Sequence, residues 1–166
     1  YILSGFTGGI DPNMPHDRKA IAMELDFGLG IIWSRAFNSP IQSSATDYDM
    51  FTHAITINTP IGAGYFFSGS SNGSSVQEAA AVMLDLTGNV LWKKHYANNQ
   101  GGLHQSVSGD AVYDGNTNLI HQLNNNTVTH CWGISAFDAT TGIRDAGNSW
   151  VGSVANTYPN IEGLSL

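Results

Sequence analysis

Three side chains that lie close together in the sequence have the chemistry of metal ligands: His121, His130 and Cys131. Imidazole nitrogen and thiolate sulfur bind zinc and related metals, and the two histidines are expected on adjacent strands. Their spacing matches neither a Cys-x-x-Cys nor a His-x-x-x-His ligand pair. We therefore interpret them as partly buried strand residues and assign no metal ligand.

A second polar cluster, formed by Asp11, His16 and Asp17, offers oxygen atoms of the kind that calcium binds. The cluster lacks the regular alternation of acidic ligands that is typical of calcium loops, so we interpret it as a turn-rich surface loop. We identify no strand–turn–helix nucleophile elbow that would organise the serines, histidines and aspartates of the chain for acyl transfer. We assign no catalytic residue and no cofactor, and we expect a protein that is not an enzyme.

Two short motifs fit the acceptor pattern for N-glycosylation. Asn72 begins Asn-Gly-Ser and Asn125 begins Asn-Asn-Thr. We predict that each asparagine lies in the turn after the second strand of its repeat unit, where it would be exposed. Both are glycosylation candidates, provided that the protein comes from a secretory system that glycosylates.

The composition is that of a folded but weakly charged protein. Hydrophobic residues make up 42% of the chain, whereas charged residues make up 11%, against roughly 25% in an average soluble domain. A formal charge of −7 with six lysines and arginines provides no basic face for nucleic acid. Cys131 is the single cysteine, which excludes an internal disulfide. No apolar run approaches the roughly 20 residues of a membrane-spanning helix. We expect an extracellular or self-associating β protein.

The chain repeats itself. Asp26 and Trp33 recur 59 residues later as Asp85 and Trp92, each pair preceded by a similar apolar strand. A third copy of the strand and turn places its aspartate, Asp138, 53 residues after Asp85. A period of this length indicates a repeat architecture.

Each repeat unit is predicted to contain four short strands. Gly88 supplies the positive φ of a hairpin turn, and Asp85 is free to cap backbone amides. Gly142 is a repeat-defining residue of the third copy. Trp33 and Trp92 are interpreted as packing residues between neighbouring units, and helix content is expected to be low. In the second unit the predicted strands are Thr52–Ile57, Gly64–Gly69, Ala79–Leu86 and Val90–Tyr96. The segment Phe66–Ser68 aligns with Leu119–His121 at the displacement of 53 residues.

Two motifs resemble known repeat families. The segment Tyr65–Ser70 followed by Ala81–Tyr96 is similar to secreted bacterial propeller repeats, in which a Tyr-Ile-Leu-Ala-Gly strand precedes a Leu-Asp-x-x-Gly-Asn-Val-x-Trp hairpin. The segment Ala136–Gly142 resembles the related pyrroloquinoline-quinone-type repeat, although Ala146 stands where that repeat carries tryptophan. The resemblance implies an all-β propeller. Its families include scaffolds, adhesion arrays and quinone enzymes, so the fold does not choose among them.

The resemblance implies about three four-stranded blades. Three blades are too few to close the usual ring of four to eight, so we expect part of a larger ring or assembly. The immunoglobulin-like sandwich is the alternative fold. The predicted divisions are blade 1 at 1–51, which lacks its first strand, blade 2 at 52–105, blade 3 at 106–153, and a strand at 154–166 that completes a further blade.

These observations favour an extracellular or cell-surface structural or interaction module. The leading hypothesis is a self-assembling subunit of a surface appendage or adhesin, which would pair with copies of itself or with other extracellular proteins or glycans. It would bind no nucleic acid and would not span a membrane. A glycan- or protein-binding scaffold and a fragment of a quinone-dependent propeller enzyme stay as alternatives.

Overall fold

The computed structural model describes residues 1–7, 19–37, 49–74, 76–96, 106–126 and 131–152, and every regular element in these ranges is a β-strand. The all-β part of the prediction is therefore confirmed for the described residues. The strands are rich in β-branched and aromatic residues, and short turns of Asp, Asn, Thr and Gly separate several of them. Their bounds are β1 (Ile2–Thr7), β2 (Lys19–Leu25), β3 (Ile31–Phe37), β4 (Met50–Thr59), β5 (Gly62–Ser74), β6 (Val76–Asp85), β7 (Val90–Tyr96), β8 (Ser106–Asp114), β9 (Leu119–Asn126), β10 (Cys131–Asp138) and β11 (Arg144–Gly152).

The strands form three antiparallel sheets, each made of consecutive strands. The first sheet contains β1 to β3, the second contains β4 to β7, and the third contains β8 to β11. Each strand pairs with its neighbour along the chain, so every sheet is an up-and-down meander. The pairing within each sheet is thus local in sequence, whereas the contacts between sheets are not.

The three sheets stack, and each contact between them holds one apolar cluster. Residues of the first and second sheets share one cluster, and residues of the second and third sheets share the other. The first cluster consists of Ala20, Ala22, Trp33, Phe51, Tyr65, Phe67, Val82 and Leu84. The other consists of Ile57, Phe66, Ala79, Ala81, Met83, Trp92, Ala111, Ile120, Phe137 and Ala139.

The apolar run in β6 follows from this stacking. Successive side chains of a strand point to opposite faces, and both faces of the second sheet are covered. Met83 packs towards the third sheet and Leu84 towards the first, and both are fully buried. A strand that is buried on both sides needs apolar residues at every position, which is why Ala79–Leu84 shows no polar alternation.

The contact between the second and third sheets also contains a buried polar layer. Gln122 Nε2 donates a hydrogen bond to Asn124 Oδ1 at 3.0 Å, and Asn124 Nδ2 donates to Ser135 Oγ at 3.0 Å. Ser68 and Ser70 of β5 lie two and four residues beyond Phe66, on the same face of the strand, and are also buried. Because the bond between Asn124 and Ser135 joins β9 to β10, it favours one register of these two strands.

The structure corrects the placement of both glycosylation candidates. Asn72 lies within β5 and Asn125 lies within β9, so neither belongs to a turn after its strand. Both strands extend further than predicted, because β5 pairs with β6 as far as Ser74 and β9 pairs with β10 as far as Asn126.

The structure also corrects the alignment of the third unit. Gly64 pairs with Asp85, and Leu119 pairs with Asp138, so Gly64 and not Phe66 is the counterpart of Leu119. The sequence alignment was two residues out of register. Apolar alternation has a period of two, so a shift of two residues preserves the pattern and leaves the register undetermined.

Several predicted features lie outside the described residues. They are the final strand at 154–166, the loop that contains Asp11, His16 and Asp17, and His130. The division of the chain into blades stays a prediction. The described first sheet has three strands, and the other two sheets have four.

We predict that the two faces of β6 are equally important for stability. Met83→Ala and Leu84→Ala should each lower the free energy of unfolding by about 3 kcal/mol, because each leaves a cavity in one of the two clusters. Leu86→Ala, at a site that is 47% exposed, should change it by less than about 0.5 kcal/mol. Urea unfolding followed by circular dichroism measures all three. A negligible loss for either buried residue would mean that the corresponding pair of sheets does not pack in solution.

Candidate functional site

The repeat-defining aspartates organise the hairpin turns between β2 and β3, β6 and β7, and β10 and β11. In the second sheet, Asp85 Oδ1 accepts hydrogen bonds from the backbone N–H groups of Thr87 and Asn89, each at 2.8 Å. Asn89 Nδ2 donates to Asp85 Oδ2 at 2.9 Å. Burial raises the pKa of the Asp85 carboxyl, but the hydrogen bonds from Asn89 and Thr87 outweigh it and lower the pKa from 3.8 to about 2.

The other two turns are built in the same way. Asp26 Oδ1 accepts from the N–H of Gly28 at 2.7 Å and of Gly30 at 2.8 Å. Asp138 Oδ1 accepts from the N–H of Thr140 at 3.1 Å and of Thr141 at 2.8 Å. The aspartate at the first position of each turn thus accepts hydrogen bonds from turn N–H groups that do not pair with the neighbouring strand.

Each turn contains one residue in the left-handed conformation. It is Gly88 with φ 81° in the second sheet, Gly142 with φ 67° in the third, and Leu29 with φ 64° in the first. Glycine adopts this conformation without a steric penalty, whereas leucine does not. The first turn therefore departs from the other two at the position that matters most for packing.

Trp33 joins the first sheet to the hairpin turn of the second. Its indole Nε1–H donates to Leu86 O at 3.3 Å and to Glu24 Oε2 at 2.7 Å. The ring lies on Gly88, where a Cβ atom would be 2.7 Å from Trp33 Cδ2. Arg35 Nε adds a hydrogen bond to Gly88 O at 3.1 Å. This contact therefore needs both the indole ring and a residue without a Cβ atom beneath it.

Trp92 makes the same joint one sheet further on. Its Nε1–H donates to Ala139 O at 2.9 Å, and a Cβ atom at Gly142 would be 2.6 Å from Trp92 Cε3. Ala139 follows Asp138 just as Leu86 follows Asp85, so the two indoles bind equivalent carbonyls. We call this repeated contact the tryptophan joint.

The third sheet has no tryptophan at the corresponding place. Trp33 and Trp92 each lie four residues after the left-handed residue of their own turn, and four residues after Gly142 the chain has Ala146. In the strand pairing, however, Asp145 lies opposite Ala136, as Trp33 lies opposite Glu24 and Trp92 opposite Met83. Ala146 is exposed and begins the irregular segment that follows, because the pairing next resumes at Ile134–Trp150. The third sheet therefore lacks the side chain that makes the tryptophan joint.

The side of the first sheet that faces away from the second sheet carries apolar side chains. Ala20, Ala22 and Trp33 face the second sheet, so alternation turns Ile21, Met23 and Leu25 to the opposite side. Leu3 pairs with Met23 and Tyr1 bonds to Leu25, which places both on that side as well. We call this surface the outer face: Tyr1, Leu3, Ile21, Met23 and Leu25.

The equivalent residues of the second sheet indicate that the outer face is suited to packing against another sheet. In the second sheet the residues at equivalent strand positions pack against the first sheet, and all are at least nine-tenths buried. On the outer face, Tyr1 is 66% exposed and Leu3 is 46% exposed, whereas the other three residues are partly buried. The buried counterparts are Tyr65, Phe67, Ala80, Val82 and Leu84. Sequence reasoning missed this surface, although the 59-residue displacement already relates Met23 to Val82.

The structure shows little that could serve as a metal centre. Within the described ranges, no group of three or more His, Cys, Asp or Glu side chains could hold a metal ion. His121 lies in β9, and Cys131 begins β10. A separate polar contact joins the second and third sheets, because His53 Nε2 lies 2.6 Å from Asp110 Oδ1.

Comparison with protein-family models and with curated proteins found no match. No helix in the part of the chain that the structure describes is long and apolar enough to cross a membrane.

We predict that Gly142 tolerates no side chain. Gly142→Ala should lower the free energy of unfolding by roughly 2 to 3 kcal/mol, because alanine at this positive φ is strained and its Cβ displaces the Trp92 ring. Gly115→Ala is the control, since the nearest atom to a Cβ there is 3.6 Å away. Thermal unfolding reports the loss of stability, and a change in the tryptophan fluorescence of the folded protein reports the displaced ring. Equal stability of the two variants would contradict the tryptophan joint.

We predict that ionised Asp85 stabilises the fold. Its pKa is lowered on folding, so its contribution is complete above the ordinary value of 3.8 and disappears as the pH falls through about 2. Asp85→Asn should cost about 1 kcal/mol at pH 7, a figure discounted because solvent reaches the turn. Urea unfolding from pH 7 to pH 2 should show the two proteins converging below pH 4. A pH-independent difference would assign the effect to packing.

Proposed function

We propose that the chain is a self-assembling structural module of the β-propeller type, with the three sheets as successive blades. Two facts support the blade interpretation. Each described sheet is a meander of consecutive antiparallel strands, and each successive pair of sheets is joined by the same tryptophan joint. In a sandwich of two sheets, nothing requires the same contact to recur between each successive pair of sheets.

The outer face of the first sheet is the observation that carries the proposal. A monomer that ended its stack at the first sheet would favour polar residues here, as solvated sheet faces do. Instead the outer face keeps the apolar side chains of a sheet that packs on both sides. Contiguous apolar patches of this kind mark interaction surfaces in soluble proteins.

The edge of the first sheet is consistent with assembly. This sheet has three strands where the others have four, and β1 pairs only with β2 among the described strands. An edge strand with unpaired backbone groups promotes association unless charges or proline protect it. Strand β1 has the sequence Ile-Leu-Ser-Gly-Phe-Thr, which contains neither.

The proposal includes an extracellular or cell-surface location. The low charge, the single cysteine and the resemblance to secreted repeats support it, and an adhesin or a surface appendage would use such a module. No described arrangement of side chains singles out a reaction, whereas the apolar outer face directly supports association.

We predict concentration-dependent assembly that depends on the outer face. Sedimentation velocity and light scattering between about 1 and 200 μM should show the mass rising above one chain without added ligand. Leu3→Ser should weaken association by tenfold or more, because a buried apolar contact is worth about 1.4 kcal/mol or more.

Ile32→Ser is the matched control for this experiment. Ile32 is 57% exposed on the same sheet. Its counterpart in the second sheet, Leu91, is 42% exposed even though another sheet packs on that side. Ile32→Ser should therefore leave association unchanged. A chain that stays monomeric over the whole range would overturn the proposed function.

A further inference from the structure

Exposed apolar side chains are concentrated at one end of the stack of sheets. The hairpin turns that follow β2, β4, β6, β8 and β10 lie at this end, because Gly64 pairs with Asp85 in the second sheet and Leu119 with Asp138 in the third. The two tryptophan joints hold the turns of the three sheets side by side. Most of the large apolar residues that are exposed in the described ranges lie in these turns or at the adjoining strand ends. The exceptions are Leu3, Phe6 and Val112.

The three turns that the tryptophan joints connect all contribute to this surface. Phe27 is 96% exposed, and Ile31 and Ile143 are each 64% exposed. Single exposed apolar residues are normal on a protein, but a group of them gathered in one place marks an interaction surface. We call this group the turn surface: Phe27, Leu29, Ile31, Leu86, Val90 and Ile143.

The surroundings of the turn surface are acidic. Five aspartates lie in the turns or directly beside them, whereas two arginines reach this end, Arg35 from β3 and Arg144 from β11. The Thr117 hydroxyl lowers the pKa of the Asp114 carboxyl, and the Asn148 amide lowers that of Asp145, so both carboxyls are ionised at neutral pH. The five aspartates are Asp26, Asp85, Asp114, Asp138 and Asp145.

We infer that the turn surface binds a basic amphipathic helix of a partner protein, which lies across the three turns. Carboxylates around an apolar surface complement a helix that carries lysine or arginine on either side of an apolar stripe. A second copy of this chain does not fit, because it would bring the same acidic surface and has six basic residues against thirteen acidic ones. The inference goes beyond the proposed function and concerns a surface other than the outer face.

The separation of the sheets favours a helix over an extended strand as the bound segment. Packed sheets lie about 10 Å apart. A helix rises about 1.5 Å per residue, so side chains seven residues apart on one face are separated by about 10.5 Å, and successive ones can each contact one turn. Side chains on one face of an extended strand recur at about 7 Å, which does not match the sheets. An anionic lipid surface is unsuited, because the aspartates repel its headgroups.

Synthetic helical peptides serve as the partner in the test. The basic peptide consists of three copies of the heptad Leu-Ala-Lys-Lys-Leu-Ala-Lys, and an acidic counterpart has glutamate in place of lysine. A third peptide has the composition of the basic one in an order that gives no apolar stripe. Fluorescence anisotropy of the labelled peptides should show that the chain binds the basic amphipathic peptide at least tenfold more tightly than either of the other two.

Serine substitutions locate the binding surface. Ile31→Ser, Leu86→Ser and Ile143→Ser each remove one contact from a different turn and should each weaken binding fivefold or more. Val112→Ser is the matched control, because Val112 is 48% exposed and Leu86 47% exposed, but Val112 lies outside the turn surface. The control should bind within twofold of the parent. All four substitutions leave the charge of the chain unchanged, and circular dichroism verifies that each variant is folded.

Three outcomes would overturn the inference. Equal binding by the parent and the three turn variants would mean that the peptide is attracted to the acidic chain without a defined site. Equal binding of the two basic peptides would mean that no apolar stripe is recognised. Phosphatidylcholine vesicles that bind the chain through the same residues, while the peptide does not bind, would assign the turn surface to a lipid surface.

Sedimentation velocity separates this inference from the proposed function. Leu3→Ser should weaken self-association and leave peptide binding unchanged, whereas Ile31→Ser should do the reverse. Loss of self-association in Ile31→Ser would assign the turn surface to contacts between copies and overturn the inference. Peptide binding that depends on the turn surface in a chain that stays monomeric would support the inference while the proposed function fails.

Discussion

The structure depends on an indole that packs on a glycine with no Cβ and donates its N–H to a backbone carbonyl. Trp33 and Trp92 each reach across to the hairpin of the following sheet. A buried indole N–H without an acceptor would be costly, and the carbonyl after the turn aspartate is fixed in place by the turn itself. The packing between sheets therefore depends on turn chemistry as much as on apolar area.

This dependence explains why the repeat is recognisable from three kinds of residue in each hairpin. The aspartate is needed to hold the turn, the left-handed residue to bring the backbone under the ring, and the tryptophan to span the gap. Small residues complete the arrangement, since Ala22 and Ala81 occupy equivalent positions and both are fully buried. A larger side chain there would separate the sheets and pull the indole from its carbonyl.

The sequence predicted these local features well because they depend on short-range chemistry. Asp85, Gly88 and Trp92 act within one hairpin, and their spacing is visible without a fold. The register of β9 and the extent of β5 were not predictable in the same way, because apolar alternation matches itself after a shift of two residues. The outer face was missed for a further reason. Whether Met23 is core or surface depends on what lies beyond the first sheet, which the pattern within β2 does not contain.

The three described sheets share one plan but differ in the residues that occupy their turns and faces. In the third sheet, Asp145 lies opposite Ala136, where the second sheet has Trp92 opposite Met83. Hydrogen bonds from Asn148 and Gly147 lower the pKa of the Asp145 carboxyl. The first sheet keeps its apolar face and places leucine where glycine is the unstrained choice. A residue held in an unfavourable conformation needs a compensating benefit elsewhere. Leu29 is 68% exposed, and no packing within the described part of the chain offsets the strain of its positive φ.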